Sequence, residues 1–142
     1  VVCMSIYPTF LDSSFAKTPE YLELDARMGV EDAFINDPGN MEKAAAWVEI
    51  QKEFISLKRP GVAKVVDHIE YAVAVAGIDH VGIGTDYDGI EVAADGLENI
   101  SRFDEMRRRN FSRKDISKIA GENFLRVLKE VRKASKIIKK QG

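Results

Sequence analysis

The chain has 142 residues, 45% of them hydrophobic and 31% charged, with a formal net charge of −2. That balance suits one globular domain with a real core and gives no global field for nucleic acid or an anionic membrane. The one cysteine, Cys3, excludes an intramolecular disulfide and a thiolate zinc site from this chain alone, and no apolar stretch approaches the roughly 20 residues of a membrane span.

"VVCMSIY", Val1 to Tyr7, is a continuous apolar run rich in β-branched residues, the pattern of a strand buried on both faces in a parallel sheet. Cys3 within it reads as a buried, inert thiol. Pro8 cannot donate to a ladder and ends the strand. The chain opens inside this run, with no initiator Met and no polar lead-in, which predicts a start in the middle of something larger. Residues 8–60 read as a loop and helical insertion. "TFLDSSFAK" is the loop. Thr18 and Pro19 open a short helix that ends near Gly29. "INDPGN" is turn chemistry, and Asn40 caps a longer helix through "MEKAAAWVEIQKEFISLK".

Residues 61–77 predict a crossover helix. Val62, Val65, Val66, Ile69, Val73 and Ala76 recur at helical spacing, and Gly77 serves as its C-cap. A second strand follows over 78–86, in "IDHVGIGTD". The remainder, 87–142, is a loop and carboxyl-terminal helices. Asp95-Gly96 marks a turn, Ser101 caps a short helix, and "SRKD" from Ser112 resembles a capping box. Ile116, Ile119, Phe124, Leu125, Leu128 and Val131 make an apolar stripe, broken by Gly121 into two helices. Two strands so far apart in sequence need a helical crossover and pair in parallel, so the class is α/β. Both strands look buried on two faces and lack neighbours here, which predicts a piece of a larger α/β protein or a chain that associates to cover them.

The segment "HVGIGTDYDG", His80 to Gly89, carries the candidate chemistry. In α/β folds the loops beyond the carboxyl ends of parallel strands build active sites. Asp86 sits at such an end, where a carboxylate can bind a metal, move a proton or hold an amine. Gly82 and Gly84 let neighbouring atoms approach closely. Composition alone favours a plain turn, since Asp and Gly in "DYDG" are turn formers, and Asp88-Gly89 in particular reads as turn chemistry. Other motifs fail on spacing. Tyr87 stands where a dinucleotide fingerprint needs its third glycine, and an EF-hand would need glycine two positions later. His68 and His80 lie on different predicted elements and do not form a local metal pair. The basic tail "KEVRKASKIIKK" reads as a solvated helix end, with no interleaved aromatics to suggest single-stranded nucleic acid.

"VVDHIEYAVAVAGIDHVGIGTDYDG", then "GLENISRF" and "RRRNFSRKDISKIAGENFLRV", closely resembles the membrane dipeptidase (renal dipeptidase) family, peptidase family M19. The resemblance runs from about Val62 to about Val131, and "VVCMSIY" is similar to the preceding strand. It implies the carboxyl-terminal part of a (β/α)8 TIM-like metallohydrolase barrel, with strands seven and eight in this chain. It also implies a metallopeptidase that hydrolyses dipeptides through a hydroxide bridging two zinc ions. By motif position Asp86 resembles the family's catalytic aspartate, which shuttles a proton from the hydroxide to the leaving amine. Tyr7 resembles the substrate-binding tyrosine, and Asn123 a structural asparagine. The complete enzyme would take a dipeptide as substrate and could be a homo-oligomer.

The chain departs from the family in its metal ligands. The family's His-x-Asp, bridging Glu and two later histidines all precede the seventh strand, as does the arginine for the substrate carboxylate. No His-x-Asp occurs here, so no metal ligand is assigned, and a chain with Asp86 alone should be inactive without the rest. The alternative is a non-catalytic or degenerate barrel module that acts by association with another chain.

Overall fold

The computed structural model describes residues 1–98 and 103–141, without the side chains of 140 and 141. The architecture is mixed and mostly helical, in keeping with the α/β class. Strand β1 (Val2–Met4) and strand β2 (Val81–Ile83) pair in parallel, with Val2 opposite Val81, Cys3 opposite Gly82 and Met4 opposite Ile83. The Gly84 N–H extends the ladder to the Met4 carbonyl at 3.0 Å.

Both ladders are shorter than their apolar runs. Beyond Met4 the Ile6 carbonyl accepts from the Ala94 N–H rather than from a strand. Before β2, Ile78–His80 winds a 3₁₀ turn closed by the His80 N–H on the Gly77 carbonyl. The buried Asn123 amide donates to the Ile78 carbonyl at 2.8 Å and the Val81 carbonyl at 2.9 Å. Those carbonyls therefore have partners outside any ladder, which satisfies them without a longer strand.

The stretch expected to be a loop after Pro8 contains helix α1 (Pro8–Leu11) and a 3₁₀ turn at Phe15–Lys17. Pro8 sits in the first turn, where its missing N–H costs nothing. Helix α2 (Pro19–Asp25) starts as the sequence predicts, with the Thr18 hydroxyl accepting from the Tyr21 N–H. Gly29 does not end it. Gly29 opens α3 (Gly29–Ile35), because the turn at residues 26–28 already satisfies the end of α2. Asn40 caps α4 (Met41–Ser56) by accepting from the Glu42 and Lys43 N–H groups.

Helix α5 (Val62–Ala76) is the crossover, and Gly77 ends it at φ 85°, a conformation that favours glycine. Val65, Val66 and Ile69 are buried, whereas Ala76 at the last turn is exposed. Short helices α6 (Asp104–Arg108) and α7 (Arg113–Ser117) follow. The expected cap Ser101 lies outside the described residues. Ser112 and Asp115 form the capping box, each bonding the other's backbone N–H. A π-turn at Lys118–Glu122 holds Gly121 at φ 153° and leads into α8 (Asn123–Gln141).

One hydrophobic cluster fills the space between the strands, α5 and the carboxyl-terminal helices, around Ile6, Val66, Ile69, Val81, Met106 and Ile119. A second lies under the insertion, around Phe15, Tyr21, Leu24, Ile50 and Phe54. Two expectations about burial fail. β1 is not covered on both faces: Val2 is 57% exposed, and Cys3 is exposed rather than a buried thiol. α5 packs the sheet from one side, and no described element covers Cys3. The apolar stripe is also split at Gly121. Ile116 and Ile119 are buried before the kink, while Phe124, Leu125 and Val131 are exposed after it. Among the described residues, no helix is long and apolar enough to cross a membrane.

Candidate active site

Tyr7 and Asp86 each stand three residues beyond the paired Met4 and Ile83, so the register brings them to the same end of the sheet. This is the carboxyl end of both strands. The loop after β2 closes over it. Its chain returns to donate from the Ala94 N–H to the Ile6 carbonyl, and Asp95 bridges Pro60, Gly61 and Val62 at the start of α5.

Asp86 is exposed and holds a positive φ of 59°. Its carbonyl accepts from the Gly89 N–H at 2.9 Å, so "DYDG" is a hydrogen-bonded turn with Asp86 at its first position. A Cβ at Gly89 would stand 2.8 Å from Asp86 Oδ1, which is why glycine fits there. The turn leaves Asp86 exposed at the strand end, with its carboxylate over Gly89. Tyr87 locks the loop from the other side, its hydroxyl donating to the Leu97 carbonyl at 2.7 Å. Gly82 and Gly84 make room for the side chains of Val1 and Cys3: a Cβ at Gly84 would stand 3.1 Å from Cys3 Cβ, and one at Gly82 3.2 Å from Val1 Cγ1 and 3.3 Å from Cys3 Sγ.

Tyr7 is half-buried, with its hydroxyl 3.0 Å from that of Tyr21. Phe10 packs edge-on against it at a ring distance of 5.2 Å. Burial raises the Tyr7 phenol far above the usual tyrosine value, and hydrogen bonding to Tyr21 and the nearby Glu91 carboxylate add to this. Tyr21 is raised as well, again chiefly by burial. Both phenols therefore remain protonated and can donate.

Three residues here escape a reading of the sequence. Tyr21 reaches Tyr7 from the insertion, packed against Phe15 and Phe54. Glu91, in the loop after Asp86, stands beside Tyr7, and its Oε2 is buried with no hydrogen-bond partner among the described residues. It also helps to raise the Glu31 carboxyl, after burial and ahead of Asp32. Arg59 has a buried side chain that holds the loop, with Nε donating to the Ala93 carbonyl at 3.0 Å and Nη1 to the carbonyls of Phe54 and Ile55. Only the turn residues around Glu91 hint at a site loop; nothing local couples it to Tyr7.

The arrangement offers an exposed carboxylate, a neutral phenol donor and a second carboxylate at one strand end. Such groups can move a proton and hold a cationic amine. The histidines are elsewhere. His68 Nε2 bonds the Leu11 carbonyl at 2.8 Å, and His80 lies in the 3₁₀ turn before β2, at the opposite end of that strand from Asp86. Among the described residues no group of three or more His, Cys, Asp or Glu is arranged to hold a metal ion.

The family model for Membrane dipeptidase (Peptidase family M19) matches residues 1–142. Dipeptidase ataJ of Aspergillus terreus (strain NIH 2624 / FGSC A1156) is 48% identical over 73 residues, covering 49% of this chain and 18% of the relative. Dipeptidase verJ of Clonostachys rogersoniana is 37% identical over 87 residues, 58% of this chain and 22% of the relative. Dipeptidase tcpJ of Claviceps purpurea (strain 20.1) is 39% identical over 74 residues, 49% of this chain and 17% of the relative. The matched parts thus span about a fifth of these relatives' length. No solved structure matches.

Proposed function

The chain belongs to the membrane dipeptidase family, peptidase family M19, and from that membership we propose that it forms the carboxyl-terminal part of a dipeptide hydrolase. On this reading β1 and β2 are the last two strands of a (β/α)8 barrel, strands seven and eight, and the chain is one partial domain. The observation that carries it is the shared register of Tyr7 and Asp86 at the carboxyl ends of adjacent parallel strands, which is where such barrels do their chemistry.

Asp86 is the proton shuttle: it takes a proton from the attacking water and delivers it to the leaving amine. Its exposure and the Gly89 turn suit a group that must reach substrate. Tyr7 binds substrate as a donor, since burial and Tyr21 keep its phenol protonated. The family's two zinc ions do not fit the residues of this chain. His68 is committed to a backbone carbonyl, and no cluster of donors surrounds Asp86 among the described residues. The ions therefore belong, in this proposal, to residues outside the chain.

The test is a chimera. This chain replaces the matching segment of the Aspergillus terreus dipeptidase, and hydrolysis of a dipeptide is followed with zinc supplied. Activity is expected in the chimera, and none from the chain alone with or without zinc. A folded but inactive chimera beside an active parent would overturn the proposal.

The exposed flank of β1, with Val2 and Cys3 uncovered, favours one other reading. In it the chain is a non-catalytic or degenerate barrel module that associates with another chain through that flank. A chimera that folds and binds zinc yet turns nothing over would point that way.

A further inference from the structure

The small net charge hides a strong segregation. Residues 123–142 carry seven Lys and Arg against Glu130 alone, a formal charge of +6; residues 1–122 therefore carry −8, since the chain totals −2. The positive part is helix α8. Its first turns pack on β2 and the Gly121 kink, but every residue from Lys129 to Lys139 is exposed.

On that exposed stretch the two kinds of side chain separate around the helix axis. At 100° per residue, Val131, Ala134, Ile137 and Ile138 share one side, with Glu130 between Ile137 and Ala134. Lys129, Arg132, Lys133, Lys136 and Lys139 share the other. Ile138 is 69% exposed, and Val131 and Ile137 are nearly as open. Among the described residues none of these five cations forms an ion pair. Glu130, the one acid, is taken up by Arg126 at 3.4 Å.

We propose that residues 129–139 of α8 form a membrane-surface helix that lies on an anionic lipid bilayer, its apolar side in the headgroup boundary and its cations against lipid phosphates. An interfacial helix has this pattern: low mean hydropathy, strong amphipathicity and a Lys/Arg-rich polar face. The segment is too polar to span the bilayer, so it lies along the surface. A flat anionic surface also fits better than a second copy of the chain. The exposed apolar row on α4, Met41, Val48 and Ile55, is broken by the Lys52–Glu49 pair and offers no unbroken acidic rim.

Vesicle flotation of the 142-residue chain tests this, since aggregated protein stays at the bottom of the gradient. The vesicles are phosphatidylcholine alone, or phosphatidylcholine with about a quarter phosphatidylglycerol. We expect at least about ten-fold more chain floating with the anionic vesicles at low salt, with most of the difference lost near 0.5 M salt. Lys133→Glu with Lys136→Glu should abolish flotation. Val131→Asp with Ile138→Asp should do the same, and both variants should keep the wild-type far-UV circular dichroism because all four positions are exposed. The more conservative Ile138→Gln should weaken flotation several-fold. No flotation, equal flotation with neutral vesicles, or binding that survives loss of the apolar side chains overturns the proposal. Concentration-dependent self-association without lipid, removed by the same substitutions, also overturns it and assigns the face to a second copy.

Discussion

Asp86 holds a left-handed backbone, φ 59°, that L residues other than Asn and Asp seldom adopt. Asn tolerates it equally, so Asp86→Asn is a clean probe. In the chimera it should leave the urea midpoint unchanged and lower kcat by about 10²–10⁴-fold, the usual worth of a positioned acid–base group. Unchanged kcat would remove Asp86 from the chemistry. Asn123 is a different case, 2% exposed and bonded to two carbonyls. Asn123→Ala should cost about 1–3 kcal/mol, because Ile78 and Val81 would be left with buried, unsatisfied oxygens. Urea denaturation of the chain reads this directly. Gly84→Val should also destabilise, by about 1–3 kcal/mol, since Cys3 already stands where a Cβ would go. Wild-type stability in that variant would mean that β1 yields easily. At this scale the turn from Asp86 to Gly89 was legible because "DYDG" is local. Tyr21 and Glu91 were not, because each meets Tyr7 across a gap that no periodicity encodes.

Helix ends read well from the sequence, and strand lengths read poorly. Thr18, Asn40, Gly77 and the Ser112–Asp115 box act where their residue types predict, since capping needs partners only two or three positions away. Ser112→Ala should lower stability by about 1 kcal/mol, measured by denaturation at neutral pH. The box is also pH-sensitive. Hydrogen bonds from the Ser112 hydroxyl and N–H hold the Asp115 carboxyl below the usual range. Its contribution is thus complete above about pH 4 and is lost as pH falls below that. Asp115→Asn should flatten that part of the acid titration of stability. The strands are short for the opposite reason. Their apolar runs predict seven- and nine-residue ladders, but the Ile6 and Ile78 carbonyls take partners from Ala94 and Asn123. A strand's extent depends on which donors lie alongside it, and those come from distant segments.

At the scale of the whole molecule, Tyr7 beyond the end of β1 is tied by a hydrogen bond to Tyr21 of the second hydrophobic cluster. Both phenols are raised by burial in the folded chain. Their contribution to stability is therefore complete below about pH 10 and is lost as pH rises above it. Tyr7→Phe should reduce the fall in urea midpoint between about pH 9 and about pH 11 relative to wild type. An identical fall would mean that the phenols ionise freely. By itself the sequence determined the α/β class, the parallel crossover through α5, most helix caps, the break at Gly121 and the family. These follow from periodicity, capping chemistry and local motifs, all of which act within a few residues. Only the tertiary structure decided that β1 leaves Cys3 and Val2 open, that Tyr21 and Glu91 flank Tyr7, that Arg59 holds the loop after Asp86, and that α8 turns its apolar side outward. Those outcomes depend on which surfaces remain uncovered after packing, and packing joins residues that the chain order keeps apart.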